Sequence, residues 1–243
     1  KESDNSFTIR KERSVYFNQV SPIADMLSGM LFMSPPDRSD IPKEFEFFKT
    51  RATRKKSLDN FMRLVSAYSL MFTCGILIDS PDFDPEQVKT VADKSRAKLN
   101  PYAILYLPFK IRDFSYGDDG DLDWVLLDDS FYDHADPLVA GRVVPYYRLW
   151  KRNTFQSFWK DEKGNMIAEK EVPHAVGRVP FRLVSWRDDD EDSITESIFE
   201  DIAYISKLIY NVMSYMDEML ASGTFKMLAY PSEDGTMPDA IVE

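Results

Sequence analysis

Four aspartates, Asp118, Asp119, Asp121 and Asp123, crowd one turn flanked by Gly117 and Gly120. Hard cations take oxygen ligands, and carboxylates at alternate positions can converge on one. A calcium loop of the EF-hand type would also need glycine at its sixth position and glutamate at its twelfth, and neither is present. Asp and Gly are also the residues that turn geometry itself selects. The quartet is therefore read as a solvated hairpin tip, and no metal is assigned to it.

The remaining reactive groups are scattered. His134 sits in the polar turn "FYDHADP", and His174 follows Pro173 at a strand end. Both are expected to be exposed, and neither has a neighbour that would position it as a general base. Cys74 is the only cysteine, which excludes an internal disulfide and a CxxC metal pair and fits a reducing cytoplasm. It lies at an apolar helix end, where a thiol is buried and inert. The acidic run "RDDDED", residues 187–192, places negative charge before the positive end of a long helix. The basic cluster "TRATRKK", residues 50–56, reads as a solvated loop. No nucleophile elbow, phosphate loop, dinucleotide fingerprint or zinc signature occurs. No residue is assigned a catalytic, cofactor-binding or metal-ligating role, and nucleic-acid-facing residues are left unnamed.

Bulk properties narrow the classes further. The chain has 243 residues, with 44% hydrophobic and 29% charged, enough to bury a core. Its formal net charge is −11, whereas proteins that grip duplex DNA are usually basic, because affinity comes from neutralising phosphates. A protein that surrounds DNA without holding it remains compatible, since a field of like sign keeps a polyanion from sticking. The longest apolar run, residues 67–78, is broken by Ser69, Thr73 and Gly75 and falls short of the ~20 residues of a spanning helix. The chain opens at Lys1 and stops at Glu243 just after a strand-like run. The expectation is an internal piece of a longer protein.

The elements that must carry these residues follow from periodicity. Ser21-Pro22 opens a helix whose stripe is Val20, Ile23, Ala24, Leu27, Met30 and Leu31, closed by Pro35-Pro36. A short helix over 42–50 carries Phe45 and Phe48. Ser57 can cap a third with Leu58, Phe61, Met62, Val65, Tyr68 and Phe72. Gly75 is expected to end that helix, with "GILID" as a buried strand. Another helix is expected over 84–98. Aromatic and branched residues, punctuated by turns at 117–120 and 163–165, predict antiparallel hairpins over about 102–184. A capping box at Ser193 and Glu196 opens one long helix over 193–222. Its seam of Ile194, Ile198, Ile202, Ile205, Ile209, Val212, Met216 and Met219 is expected to be buried between sheet and N-terminal helices. Gly223 stops it, and "TFKMLAYP" reads as a strand. The fold class is α+β, with residues 1–243 as a single region.

At the N-terminus, Tyr16, Phe17 and Asn18 precede Pro22-Ile23-Ala24-Asp25, Leu27, Gly29, Phe32 and Pro35-Pro36. This stretch resembles the N-terminal core of tailed-phage portal proteins, the head-to-tail connectors, in a family whose members are often labelled only as phage structural proteins. "CGILIDSP", "NPYAILYLPFKIRDFSY" and "GRVPFRLVSW" resemble later blocks in the same order, so the resemblance spans about residues 13–230 and rests on block order. It implies the wing and core region of a portal, without stem, clip or channel loop. It also implies a homo-oligomeric ring, usually of twelve subunits, at one vertex of the capsid. The implied partners are the major capsid protein, the terminase motor, tail adaptor proteins and double-stranded DNA passing without sequence specificity, with no membrane and no cofactor. The implied location is the virion, after assembly in the host bacterial cytoplasm, and the implied role is structural rather than enzymatic. The helix with Gly29 would be a core or subunit-packing element, with glycine allowing close backbone approach. The alternatives are another phage or cellular assembly or adaptor protein, or an enzyme whose site lies elsewhere or in the aspartate loop.

Overall fold

Helices come first, then antiparallel strands, then one long helix, in a mixed α+β fold. The computed structural model describes residues 7–8, 11–12, 15–81, 99–134, 140–161, 164–187 and 194–224, with side chains to residue 220. The expected helix over 84–98, the acidic run after Arg187, the Ser193 cap and the final strand lie outside these residues. The chain divides into two compact units, residues 20–200 and residues 1–19 with 201–243.

In the larger unit, α1 (Val20–Leu31) packs on α3 (Leu58–Met71). α1 buries Ala24 and Ser28, two small side chains one turn apart that let the helices approach. Ser28 Oγ donates to the Arg63 carbonyl at 3.1 Å. The expected stripe is therefore narrower than its sequence, for Met30 and Leu31 stay exposed. For packing within the chain, the glycine expectation is corrected too. A Cβ at Gly29 would meet nothing within 4 Å, so the close approach is made by Ala24 and Ser28. A single turn, α2 (Glu46–Thr50), precedes the loop to α3. Ser57 holds the N-cap position of α3 but makes no side-chain cap bond. α3 stops at Met71 because Phe72 is already extended.

Gly75 does not end that helix. It lies inside β1 (Cys74–Asp79), where a Cβ would overlap the Phe181 ring. The strand needs a glycine because an aromatic side chain fills the space above it. β1 is central in a three-stranded antiparallel sheet between β2 (Tyr102–Tyr106) and β11 (Phe181–Val184). Leu77 faces Phe181, and Asp79 faces Tyr102.

The second sheet runs in the order β10-β8-β7-β4-β3, with β9 added beside β8. Its strands are β3 (Ile111–Tyr116), β4 (Leu122–Asp128), β7 (Tyr146–Lys151), β8 (Thr154–Lys160), β9 (Met166–Ala168) and β10 (Val172–Pro173). A separate short hairpin pairs β5 (Phe131–Asp133) with β6 (Arg142–Val144). Every pairing is antiparallel, as the hairpin pattern predicts.

Period-two alternation sends the small sheet's side chains two ways. Leu77, Tyr106 and Phe181 join Leu122, Val125, Leu127 and Trp150 in one core. Ala103, with Ile76, Leu105 and Val184 packed alongside, joins Phe61 and Val65 of α3 in the other. The small sheet is thus a middle layer between α3 and the larger sheet.

The smaller unit holds most of α4 (Glu200–Thr224). Within it the Tyr16 ring meets Tyr210 edge-on at 6.4 Å. α4 begins at Glu200, later than the capping box predicts. Thr195 N–H donates to Thr73 Oγ1 at 3.0 Å, ahead of the helix. Ser197 then makes the turn, its Oγ accepting from the Phe199 amide at 3.1 Å. The buried seam is a second correction. Ile202 is half-buried, whereas Ile205, Ile209, Val212, Met216 and Met219 are all exposed. Ile194 is exposed as well and precedes the helix.

Candidate functional site

The aspartate loop forms as a turn. Gly117 N–H donates to the Asp121 carbonyl at 2.9 Å, and Gly120 adopts φ 77°. Arg152, from the turn between β7 and β8, occupies the ground a cation would need. It forks onto Asp119 at 2.5 and 2.6 Å and reaches Asp123 at 2.8 Å. The hydrogen bonds from Arg152 hold the Asp119 carboxyl down at about 2. Asp119 Oδ1 also accepts from the Asp121 amide at 3.1 Å. Two of the four carboxylates are thus committed to a guanidinium. Among the described residues no group of three or more His, Cys, Asp or Glu could hold a metal ion.

The two histidines have separate surroundings. His134 is exposed, its ring 4.4 Å from Tyr132. His174 is half-buried rather than exposed, because pairing of β10 with β8 brings it 5.6 Å from Trp150. Its Nε2 lies 2.9 Å from the Lys151 carbonyl, which can only accept, so Nε2 carries the proton. Nδ1 is buried without a hydrogen-bond partner.

Cys74 is fully buried at the start of β1 rather than at a helix end, and burial pushes its thiol up to about 11. The thiolate needed for nucleophilic chemistry is suppressed. The basic loop 50–56 is partly structural. Ala52 is fully buried, and its carbonyl accepts from the Ala103 amide at 2.7 Å. Arg54 lies 4.6 Å over the Tyr102 ring and donates to its hydroxyl at 2.5 Å. Arg51, Lys55 and Lys56 remain exposed. Arg187 is exposed.

Two polar clusters have no counterpart in the sequence reading. Arg148 on β7 donates to Asp79 Oδ2 on β1 at 2.6 Å, to Asp129 Oδ2 at 2.5 Å and to the Tyr106 hydroxyl on β2 at 3.0 Å. Tyr106 in turn donates to Asp129 at 2.7 Å. The Arg148, Asp79 and Asp129 side chains are only 15%, 12% and 20% exposed. Burial opposes the Arg148 charge, and Tyr106, Asp129 and Asp79 more than offset it, so the guanidinium stays charged. Burial likewise pushes the Tyr106 hydroxyl far above its ordinary range. The cluster ties the small sheet to the large one.

In the second cluster, Asp128 is buried at the end of β4. It accepts from the Ser130 amide at 3.0 Å and pairs with Arg112, with Lys110 at 3.5 Å. Burial raises its pKa, but the Ser130 and Arg112 hydrogen bonds outweigh that and bring it to about 2. Both clusters consist of saturated ion pairs, the chemistry of bracing rather than of proton transfer.

A groove of about 1360 Å³ has Trp150, Phe155, His174, Val179, Phe181 and Arg182 in its walls. Trp150, Val179 and Phe181 in these walls belong to the core, whereas Ile78, Val172 and Val176 in the same walls are exposed. Among the described residues no helix is long and apolar enough to cross a membrane. No protein-family model matches the chain, and no curated protein matches it.

Proposed function

We propose that this chain is a structural, non-catalytic subunit of a phage portal ring, set at one capsid vertex, through which DNA is packaged and ejected. The observation that carries the reading is the apolar face of α4. Tyr204, Ile205, Leu208, Ile209, Val212 and Met216 are between 41% and 64% exposed along one helix. Monomers rarely leave such contiguous apolar surface open, and subunits of assemblies do.

Three further points support the same role. The block order resembles that of portal proteins from the aromatic-Asn pair to the long helix. The reactive side chains within the described residues are buried, paired or isolated, which suits a scaffold. A formal net charge of −11 suits a protein that surrounds duplex DNA without holding it, because a field of like sign does not trap a polyanion. On this reading the partners are further copies of the chain in a ring of about twelve, the major capsid protein, the terminase motor and tail adaptors. Their recognition follows surface shape and electrostatics rather than a catalytic centre.

Sedimentation velocity of the protein with and without random-sequence duplex DNA tests this. The expected result is a discrete high-order species whose sedimentation the duplex does not change at moderate salt. A protein that stays monomeric, or one that co-sediments tightly with linear DNA, contradicts the reading.

A further inference from the structure

We propose that the open face of α4 is where one copy of this chain docks on the same helix of a second copy. The choice of a second copy as occupant rests on the ring-subunit reading above. The residues come from the helix itself.

At about 100° per residue, Tyr204, Ile205, Leu208, Ile209, Val212 and Met216 fall within roughly 140° of the helix circumference. Ser206, Lys207, Asn211, Ser214 and Asp217 lie on the other side, where Ser206 and Ser214 are buried. On that side Ser206 and Ser214 are covered while Lys207 and Asn211 stay exposed, so none of the six large apolar side chains is among the residues this helix buries. Ile205, Leu208 and Val212 recur at intervals of three and four, and so do Ile205, Ile209, Val212 and Met216. That spacing lets a helix interdigitate with another of the same kind.

Area favours self-association, and charge limits where it can occur. The six side chains offer on the order of 600 Å² of surface, most of the ~800 Å² that one partner brings to a standard interface. The sector from Tyr204 to Met216 contains no charged residue, so nothing on it selects a partner of opposite sign. Elsewhere the excess of 41 acidic over 30 basic residues opposes contact between copies, and an uncharged face is where that cost is least. The sector is also wider than the narrow a/d seam of a two-stranded coil. Each helix then has room for a neighbour on either side, as a closed ring demands.

The test uses the 243-residue chain in sedimentation equilibrium, beside Leu208→Glu, Val212→Glu and the opposite-face control Lys207→Glu. Far-ultraviolet circular dichroism checks that each variant is folded. The expected result is reversible association of the parent, with the two face variants weakened about 100-fold, the loss of roughly two hot-spot contacts, and Lys207→Glu unchanged. A separate Leu208→Cys chain, oxidised at low concentration, should give a covalent dimer, since Cys74 is buried. The proposal is overturned if the parent is monomeric at every concentration, or if face variants associate as tightly as the parent. Protection of the introduced thiol in a monomer, which would mean that the chain covers this face itself, overturns it too. Rings that persist in the face variants sink this inference and leave the ring reading standing. Association through α4 that stops at a dimer does the opposite.

Discussion

Arg148 and Asp79 stand 69 positions apart in sequence, yet Arg148 Nη1 donates to Asp79 Oδ2 at 2.6 Å. The bond crosses from the large sheet to the small one, and Asp129 and Tyr106 complete it. Removing the cation would leave two largely buried carboxylates without their partner. Arg148→Met is therefore expected to cost about 3 kcal/mol, the lower end for breaking a buried pair from one side. Arg148→Lys should recover only part of this, because an ammonium cannot fork onto two carboxylates. Urea denaturation of the three proteins measures it. A midpoint for Arg148→Met equal to that of the parent would show that the sheets are held by apolar packing alone.

Two glycines should respond in opposite directions. Gly75→Ala drives a methyl into the Phe181 ring, and overpacking of this kind costs about 1–3 kcal/mol. Gly29→Ala meets nothing within 4 Å inside a helix, where Ala is favoured over Gly by about 1 kcal/mol. Melting temperature should fall for the first and rise for the second. Equal shifts would mean that Phe181 moves aside freely.

Acid stability should report Asp128. Its folded-state value is lowered to about 2, against about 3.9 for an unfolded Asp. A depressed carboxylate contributes fully above the unfolded value and loses that contribution as pH falls through the folded one. The urea midpoint should therefore hold down to about pH 5 and drop between about pH 4 and 2. Asp128→Asn should flatten that part of the curve while lowering the plateau at neutral pH. A variant that keeps the full acid transition would assign it to other carboxylates.

The hairpin tip should show no cation response. Asp118, Asp119 and Asp121 changed together to Asn remove the fork to Arg152, an exposed pair that adds little to stability. Melting curves with and without millimolar calcium should coincide in both parent and variant. A calcium-dependent rise in the parent, lost in the variant, would favour an ion-dependent role for this loop.

Much of the architecture is legible in the chain. The hairpins of 102–184 announce themselves by alternating aromatic and branched residues, and Gly120 sits at a positive-φ turn where the pattern demands one. The apolar stripe of α4 is legible as well, but not what covers it. Periodicity says that a face is apolar, and only the tertiary structure says whether that face is turned inward. The Arg148 cluster leaves no trace in the sequence because its partners come from β1, β2 and the end of β4, joined only when the sheets stack. Gly75, and not Gly29, is the glycine packed against a side chain within the chain, for a similar reason. What a glycine must accommodate is set by the residue across from it, here Phe181, and not by its own neighbours. His174 departs from its expected exposure because strand pairing, not local polarity, carries it to Trp150.

On the proposed reading, this chain is a ring subunit covered by copies of itself around a channel. Electron microscopy of the assembled protein tests it most directly, through the rotational symmetry of end-on class averages. The account predicts closed rings with one constant subunit number, near twelve, around an open centre. Particles without rotational symmetry, or monomers at every concentration, would contradict it.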